Sequence, residues 1–251
     1  MRRSPRCGQR DAGGRLDLKL QTTRLSRNSP TRVFPQEAEW IEGALAALPA
    51  EALDIVLDIG SANREFRTVI QPWIQRSIFD PLSARSASVV FSDVEDAPGI
   101  DLVADLMTAD GLARLRSVHA RLVLCCNVLE HVPDATAFAA RLGTLVATGG
   151  RLLVTVPHRY PHHNDPIDTM FRPNVAELVA LFDGFDVERA EILDTGSYRQ
   201  EFARRPVVLL MRHLFRLPVP FLGWRQWKRS VSKLKYLVRP YQVTCACLVK
   251  R

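Results

Sequence analysis

The sequence has no apolar run of 18 residues free of charge, the length that a membrane-spanning helix requires. Arginines near its start are followed by no apolar segment, so we expect no secretory signal. Its five cysteines, two of them adjacent and two in the tripeptide CAC, match neither a zinc-binding spacing nor a disulfide framework. These absences favour a protein of the reduced cytoplasm.

What the sequence does have is an uneven distribution of charge over 251 residues with a net charge of +7. Residues 1–34 hold nine Lys or Arg and two Asp or Glu, residues 35–198 hold twelve and twenty-four, and residues 199–251 hold thirteen and one. Two basic segments therefore flank an acidic region. The net basicity does not indicate a nucleic-acid-binding core, and we rank nucleic acid as a less favoured partner.

The same three regions differ in pattern. Residues 1–34 hold few apolar residues and no periodicity, which predicts a disordered basic tail. From Pro35, the stretch PQEAEWIEGALAALP predicts a helix, because Ile41, Leu45 and Leu48 share one helical face behind an early proline.

Short apolar segments then alternate with helical ones. The segments DIVLDI, SVVFS, DLVAD, ARLVLCC and GRLLVTV are predicted strands, FDVERAEIL a sixth, and YQVTCACLVK a last antiparallel strand. This order predicts an α/β fold with a doubly wound, mostly parallel sheet covered on both faces. We place the core at 35–198, a basic helical insertion at 199–239 and the last strand at 240–251.

Ligands of such sheets bind at the carboxyl ends of the strands. Four predicted strands end in residues that can bind a ligand: Asp58, which precedes Gly60 by two positions, and then Asp93, Asp105 and Asn127. Each acid alone is also explained as a helix cap. Their repetition at one edge of the sheet indicates a ligand site.

Four blocks, in order, resemble the class I S-adenosylmethionine-dependent methyltransferases: VLDIGSANREFR, SDVEDAPGIDLVADL, LCCNVLEHVPD and GGRLLVTVPHRYPHHNDPIDTMFRP. The resemblance runs from about Asp54 to Leu193. The last block is similar to a bacterial branch associated with surface-polysaccharide genes. The resemblance implies a Rossmann-like fold and S-adenosylmethionine as cofactor.

It also implies a set of cofactor-binding residues at the strand ends: Asp58, Gly60, Ser61, Asn63, Asp93, Asp105, Leu106 and Asn127. The turn from Gly60 to Asn63 would lie beside the methionine end of the cofactor, where glycine permits a sharp turn. Asp93 would accept hydrogen bonds from both ribose hydroxyls. Asp105 would accept one from the adenine amino group, the backbone of Leu106 would contact the ring edge, and Asn127 would close the site.

The loop departs from the family pattern because Ala62 and Arg64 occupy the positions of its later glycines. Alanine costs little there if its backbone keeps a negative φ, whereas Arg64 must turn outward to leave room for the cofactor. Three interpretations stay open: a working cofactor site, a site that has decayed in a non-catalytic homologue, and a site for another ligand.

Two segments are candidates for the chemistry on the acceptor. His131, after Glu130, is a candidate general base, although both residues are also explained as the start of the next helix. The segment PHRYPHHNDPIDTMFRP supplies candidate acceptor-binding residues: His158, Tyr160, His163 and Arg172. Tyr160 would stack on a sugar or other ring and Arg172 would bind an anionic group.

A purely structural loop, which the prolines of this segment suit, stays open as the alternative. Its histidines fit no helical metal-binding pair, so we predict no metal.

The basic helical insertion is the most distinctive feature of the sequence. Residues 204–235 contain nine Lys or Arg and no acid, interleaved with aliphatic and aromatic residues such as Phe221, Trp224 and Trp227. This composition is typical of an element that binds an anionic membrane surface. A helical lid packed on the core and a nucleic-acid contact are the alternatives.

The sequence thus predicts a methyltransferase acting on a small or saccharide acceptor, free or lipid-linked, in the cytoplasm or at the inner face of the membrane. One alternative is an RNA or protein methyltransferase, although the chain has no N-P-P-Y tetrad and no aromatic RNA-binding signature. The other is a catalytically silent, membrane-associated protein.

Overall fold

The computed structural model describes residues 33–162, 167–204, 206–216, 227 and 231–251. Its centre is a seven-stranded sheet with the strand order β3-β2-β1-β4-β5-β7-β6. The strands are β1 (Ile55–Ile59), β2 (Ser88–Asp93), β3 (Leu102–Val103), β4 (Leu122–Cys126), β5 (Arg151–Arg159), β6 (Phe185–Thr195) and β7 (Tyr241–Lys250).

The pairing confirms the predicted fold class. Strand β1 pairs in parallel with β2 on one side and β4 on the other. Strand β7 lies between β5 and β6 and runs antiparallel to both. The chain winds outward from β1 in one direction and from β4 in the other, so the carboxyl ends of β1 and β4 form the switch point where such sheets bind ligands.

The helical elements cover both faces of the sheet. They are α1 (Pro35–Ala47), α2 (Pro72–Ile74), α3 (Asp80–Ala84), α4 (Ala109–Arg116), α5 (Ala135–Gly143), α6 (Val175–Val179), α7 (Tyr198–Arg204) and α8 (Pro206–Arg216). Two π-helical turns, Phe66–Ile70 and Gln75–Phe79, flank α2. Within the described residues, three 3-10 turns lie at Ala50–Ala52, Leu129–His131 and Lys235–Leu237.

Several predicted boundaries differ from those observed. The stretch VPDATAFAARLGTLVA predicts a helix over 132–147, which forms only over Ala135–Gly143; Asp134 caps its start by accepting a hydrogen bond from the N–H of Ala137. The predicted strand DLVAD shortens to two residues, Leu102 and Val103.

Two buried clusters fill the space between sheet and helices. On one face, Ile41 and Leu45 of α1 belong to a cluster with Val56 and Leu124 of the sheet. On the other, residues of α4 and α5 pack with Leu57 and neighbouring strand residues. Successive residues of β1 thus enter opposite clusters, as the alternation of side chains along a strand requires.

The chain between β6 and β7 forms α7 and α8, a helical stretch at 231–234 and the last 3-10 turn. Residues 1–32 of the predicted tail lie outside the described residues, as do residues 205, 217–226 and 228–230 of the predicted insertion and the candidate residue His163. No helix within the described ranges is both long and apolar enough to cross a membrane.

Candidate cofactor and acceptor site

The turn after β1 lies directly against the turn after β4. Gly60 has a φ of +73°. A Cβ atom at this position would lie 2.6 Å from Cγ2 of Val128. The backbone N–H groups of Gly60 and Ser61 both donate to the carbonyl of Ser92, at 2.8 and 3.1 Å. Glycine is required here because the turn needs a positive φ and leaves no room for a side chain.

Asn63 ends this turn and starts the following helical segment. Its Oδ1 accepts a hydrogen bond from the backbone N–H of Phe66 at 2.8 Å, the geometry of a helix N-cap. Arg64 is exposed, as room for a cofactor requires, and its backbone N–H donates to the carbonyl of Pro98. The loop after β1 is thereby joined to the loop after β2.

Ala62 does not have the negative φ that an alanine needs at this position of the loop to avoid strain. Its φ is +55°, in the left-handed region, where an alanine is less stable than a glycine. Its N–H donates to Oδ2 of Asp93 at 3.0 Å. The carboxylate predicted to bind ribose therefore also fixes the conformation of the loop.

Asp105 and Leu106 follow β3 at the same edge of the sheet. The exposed Asp105 accepts a hydrogen bond from the N–H of Met107 at 2.8 Å. Leu106 is buried, and Arg141 of α5 donates to its carbonyl at 3.2 Å and to that of Met107 at 2.6 Å. The backbone beside the predicted adenine pocket is thus held from α5.

Asp58, the last acid of β1, is buried. Burial raises its pKa to about 7, and the nearby Arg67 opposes that rise. A cavity of about 40 Å³ lies beneath the loop beside Asp58 and Gly60, room for a few water molecules rather than a cofactor. Asp58 therefore lies under the loop.

Asn127 follows β4 with a φ of +53°, and its N–H donates to the carbonyl of Thr155. Its side-chain amide donates to Oε1 of Glu37 at 2.8 Å, and the same oxygen accepts from the hydroxyl of Thr155 at 2.5 Å. The other oxygen of Glu37 accepts from the N–H of Phe34. One carboxylate of α1 therefore joins the end of β4 to the middle of β5.

Sequence reasoning missed this role of Glu37. The glutamate is fully buried, and burial raises its pKa to about 7 against the opposing hydrogen bonds. A signal was present, since Glu37 precedes Ile41 by four residues and Leu45 by eight and so lies on the apolar face of α1.

His131 lies in the 3-10 turn after β4 and contacts the 167–172 segment. Its Nδ1 is hydrogen-bonded to the carbonyl of Ile167, and its Nε2 lies 3.7 Å from Oε1 of Glu130. A carbonyl can only accept, so Nδ1 carries a proton and Nε2 is the basic nitrogen of the neutral ring. Burial raises the pKa of Glu130 to about 8.

Arg172 is held by its own segment. It donates to Oδ2 of Asp168 at 2.7 Å, and its positive charge opposes the rise in the pKa of Glu130. Oε2 of Glu130 and Nε of Arg172 are buried and have no hydrogen-bond partner among the described residues. The structure thus brings Arg172 near the turn that carries His131.

His158 and Tyr160 come from the end of β5. Nδ1 of His158 donates to the carbonyl of Pro173 at 3.0 Å. The ring of Tyr160 meets Phe34 and Tyr241 edge-on, with centroids 5.7 and 4.8 Å away. These contacts anchor both residues in the protein. Within the described ranges no group of His, Cys, Asp or Glu has the arrangement of a metal site.

The strand ends fit S-adenosylmethionine. Gly60 lets the loop after β1 lie against the turn after β4, and the carboxylates of Asp93 and Asp105 lie at the ends of adjacent strands. A carboxylate suits a vicinal diol or an amino group because it only accepts hydrogen bonds. The backbone of Gly60 and Ser61, with these two acids, would hold the cofactor.

The sequence of residues 32–191, more than half of the chain, matches the model of a family described as a methyltransferase domain. The chain belongs to this family. With the sheet order and the strand-end residues, it is a class I S-adenosylmethionine-dependent methyltransferase, as the sequence predicted. A search among curated proteins finds no match for the methyltransferase.

Solved structures similar to this methyltransferase include an S-adenosylmethionine-dependent methyltransferase from Geobacter sulfurreducens in complex with S-adenosyl-L-homocysteine. The identity is 16%, the TM-score 0.42, and the match covers 88% of this chain and 93% of that one. A second, from Thiobacillus denitrificans and also in complex with S-adenosyl-L-homocysteine, has 13% identity, a TM-score of 0.42 and the same two coverages. YjhP from E. coli has 13% identity and a TM-score of 0.45, over 90% of this chain and 97% of its own.

The structure places the predicted cofactor residues of the methyltransferase at one edge of the sheet, and their individual roles stay predictions. Of the acceptor candidates, Arg172 lies near the His131 turn, whereas Tyr160 belongs to an aromatic cluster with α1 and β7. Sequence reasoning also missed Arg67, which lies in the quoted motif VLDIGSANREFR but was given no role.

Proposed function

We propose that the methyltransferase methylates a hydroxyl group of a small or saccharide acceptor. When bound, S-adenosylmethionine supplies a methyl group on a positively charged sulfur. The observation that carries the proposal is the orientation of His131, whose Nδ1 is fixed on the carbonyl of Ile167 so that Nε2 is the basic nitrogen. His131 takes the proton that the acceptor hydroxyl releases. Arg172 binds an anionic group of the acceptor.

The first experiment is a calorimetric titration of the full chain with S-adenosylmethionine and with S-adenosylhomocysteine. We expect both to bind with micromolar dissociation constants, about −8 kcal/mol. A screen of saccharide and small hydroxyl acceptors then follows. Failure of both ligands to bind folded protein would instead favour the catalytically silent alternative.

Replacing His131 tests the general base. We expect His131→Asn to lower kcat by about 10²- to 10³-fold, because a positioned base contributes this much to proton transfer. The affinity for S-adenosylhomocysteine stays unchanged. His119→Asn is the matched control, since His119 is exposed and lies before β4, away from the strand ends. Equal kcat values for the two variants would contradict the role of His131.

We extend the proposal to the location of the enzyme. It works in the cytoplasm at an anionic membrane surface, and its acceptor there is lipid-linked. Its support is α8, which exposes Val207 and Val208 by 70% and 64% and buries Leu209. This helix lies in the stretch 204–235, which holds nine cations and no acid. Apolar side chains on a basic, acid-free segment suit an interface with anionic lipid.

Vesicle co-sedimentation tests the location. We expect the full chain to sediment with phosphatidylglycerol vesicles and not with phosphatidylcholine vesicles, with binding weakened by salt. Absence of binding at low salt would overturn the location and leave the cofactor titration unaffected. The similarity of the PHHNDPIDTMFRP segment to the surface-polysaccharide branch is the reason to begin the acceptor screen with saccharides.

A further inference from the structure

The cofactor loop contains an alanine in a conformation that favours glycine. Ala62 has a φ of +55°, at a position where family loops commonly carry a glycine. An L-residue is strained in this region because its Cβ approaches the following carbonyl oxygen. Such a residue persists only where its surroundings determine its conformation. The groups that hold Ala62 therefore determine the conformation of the loop.

Two charged side chains hold Ala62, one at each of its backbone polar groups. Oδ2 of Asp93 accepts from its N–H at 3.0 Å. The guanidinium of Arg67 donates to its carbonyl at 2.5 Å. The peptide groups on both sides of the strained residue are thus fixed by charged partners, whose hydrogen bonds are stronger than those between neutral groups.

The guanidinium of Arg67 also joins the two loops that flank the site. Nη1 lies 3.3 Å from the carbonyl of Ser61, and Nη2 donates to the carbonyl of Gly99 at 2.9 Å. The guanidinium lies 3.8 Å from the ring centroid of Phe91, and Arg67 is 3% exposed. Its contacts therefore reach the loop after β1 and the loop after β2 together.

The surroundings of Arg67 suit a permanent buried cation. Burial lowers its pKa, and the acids Asp58, Asp101 and Asp93 oppose that change, Asp58 most strongly. Gly99 leaves room for the side chain, since a Cβ there would lie 3.2 Å from Nη2 of Arg67 and 2.7 Å from Cβ of Arg64. The loop after β2 is thus built around the guanidinium.

We propose that Arg67 is a positioning residue of the cofactor site, whose guanidinium holds Ala62 in the left-handed conformation and so replaces the missing glycine of the loop. Arg67 keeps the backbone of the loop and the carboxylate of Asp93 in place for S-adenosylmethionine. The inference rests on the cofactor site of the proposed function. It also concerns the ligand-free protein, in which the same contacts hold the loop.

The test compares Arg67→Lys with Arg85→Lys by calorimetric titration with S-adenosylhomocysteine. Arg85 is a matched control because it also donates to two backbone carbonyls, those of Leu45 and Leu48, both at 2.8 Å and away from the loop. We expect Arg67→Lys to weaken binding about tenfold, the equilibrium equivalent of a left-handed alanine's cost, and Arg85→Lys to leave it unchanged. Equal affinities in the two variants would overturn the proposal.

Rescue by glycine separates positioning from general stability. Ala62→Gly removes the strain, so in the Arg67→Lys background it should restore most of the lost affinity. Free energies of unfolding are measured for all variants. A role of Arg67 in overall stability alone would give the same loss of affinity with alanine and with glycine at position 62, and this result would contradict the inference.

A ligand-free readout keeps the inference separate from the proposed function. Hydrogen–deuterium exchange of a peptide spanning 57–67 should be faster in Arg67→Lys than in the parent and unchanged in Arg85→Lys. Absence of S-adenosylhomocysteine binding to the parent would overturn the proposed function. Unchanged exchange of this peptide in both variants would overturn the role of Arg67 whether or not the parent binds the ligand.

Discussion

Gly60 shows at the scale of one residue why the loop after β1 tolerates so little change. Its backbone is left-handed, and a Cβ atom there would collide with Val128 of the turn after β4. Any side chain here separates the two strand ends between which ligands of this fold bind. The restriction is therefore both conformational and steric.

We expect Gly60→Ala to lower the free energy of unfolding by about 2–4 kcal/mol, the combined cost of a left-handed alanine and of overpacking. It should also abolish measurable binding of S-adenosylhomocysteine. Denaturant unfolding and calorimetry check the two effects. The control is Gly43→Ala in α1, where a Cβ would meet only Nη1 of Arg189 at an ordinary 3.5 Å.

Gly43→Ala should stabilise the protein by about 0.5–1 kcal/mol, because alanine loses less conformational entropy in a helix than glycine. A Gly60→Ala variant as stable as the parent would show that the turn can adopt another conformation.

At the scale of single residues, the sequence indicated which residues are candidates for the site better than it indicated the contacts that they make. Asp93 and Asp105 could be found because they follow apolar segments at regular places in the chain. Glu37 and Arg67 could not, because their roles depend on groups far away in sequence: Glu37 contacts Thr155, 118 residues later, and Arg67 contacts Gly99, 32 residues later. A charged residue in a helix is normally solvated, so neither was expected to be buried.

Among the elements, α8 combines a buried apolar residue with exposed apolar neighbours over its described positions 206–211. Leu210 and Met211 are 50% and 44% exposed, whereas Leu209 is 9% exposed. The sequence predicted the amphipathic composition of this segment. The direction of its apolar side chains depends on how it packs against the core, which composition does not specify.

We expect Leu210→Asp to weaken binding to phosphatidylglycerol vesicles about tenfold or more, since it removes the burial of one leucine and adds a negative charge. Co-sedimentation at low salt is the measurement. Val187→Asp on β6 is the control, because Val187 is exposed to nearly the same degree, 49%. If both variants bind as the parent does, α8 is not the membrane contact.

Strand β7 shows the limit of pattern reading for an element. The sequence YQVTCACLVK predicted an antiparallel strand, and the strand is there. Seven of its ten residues are buried, because β7 lies inside the sheet between β5 and β6 and is covered on both faces. Strand order depends on contacts between distant segments, so the sequence predicted the strand but not which strands lie beside it.

Three buried carboxyl groups shape the pH dependence of the whole molecule. Burial raises the pKa values of Glu37 and Asp58 to about 7 and that of Glu130 to about 8. The folded protein therefore binds more protons than the unfolded chain between the ordinary carboxyl pKa, about 4, and about 8. The contribution of these groups to stability is greatest below this window and falls as the pH rises through it.

We therefore expect a larger free energy of unfolding at pH 6 than at pH 8 in urea titrations at constant salt. Glu37→Gln, which imitates the neutral acid, should reduce this difference. A stability that rises from pH 6 to pH 8 would contradict the assignment of these three groups as buried acids that resist ionisation.

The central position of β7 also bears on how the protein is made. Strands β5 and β6 are both complete by Thr195, yet each bonds to β7, which begins only at Tyr241. A nascent chain that has emerged through β6 therefore presents the apolar edge of β5 without its neighbour, and unpaired strand edges promote aggregation. While the 45 residues between Thr195 and Tyr241 are synthesised, the edges of β5 and β6 that bond to β7 stay unpaired, and the sheet closes only when β7 takes its place between them.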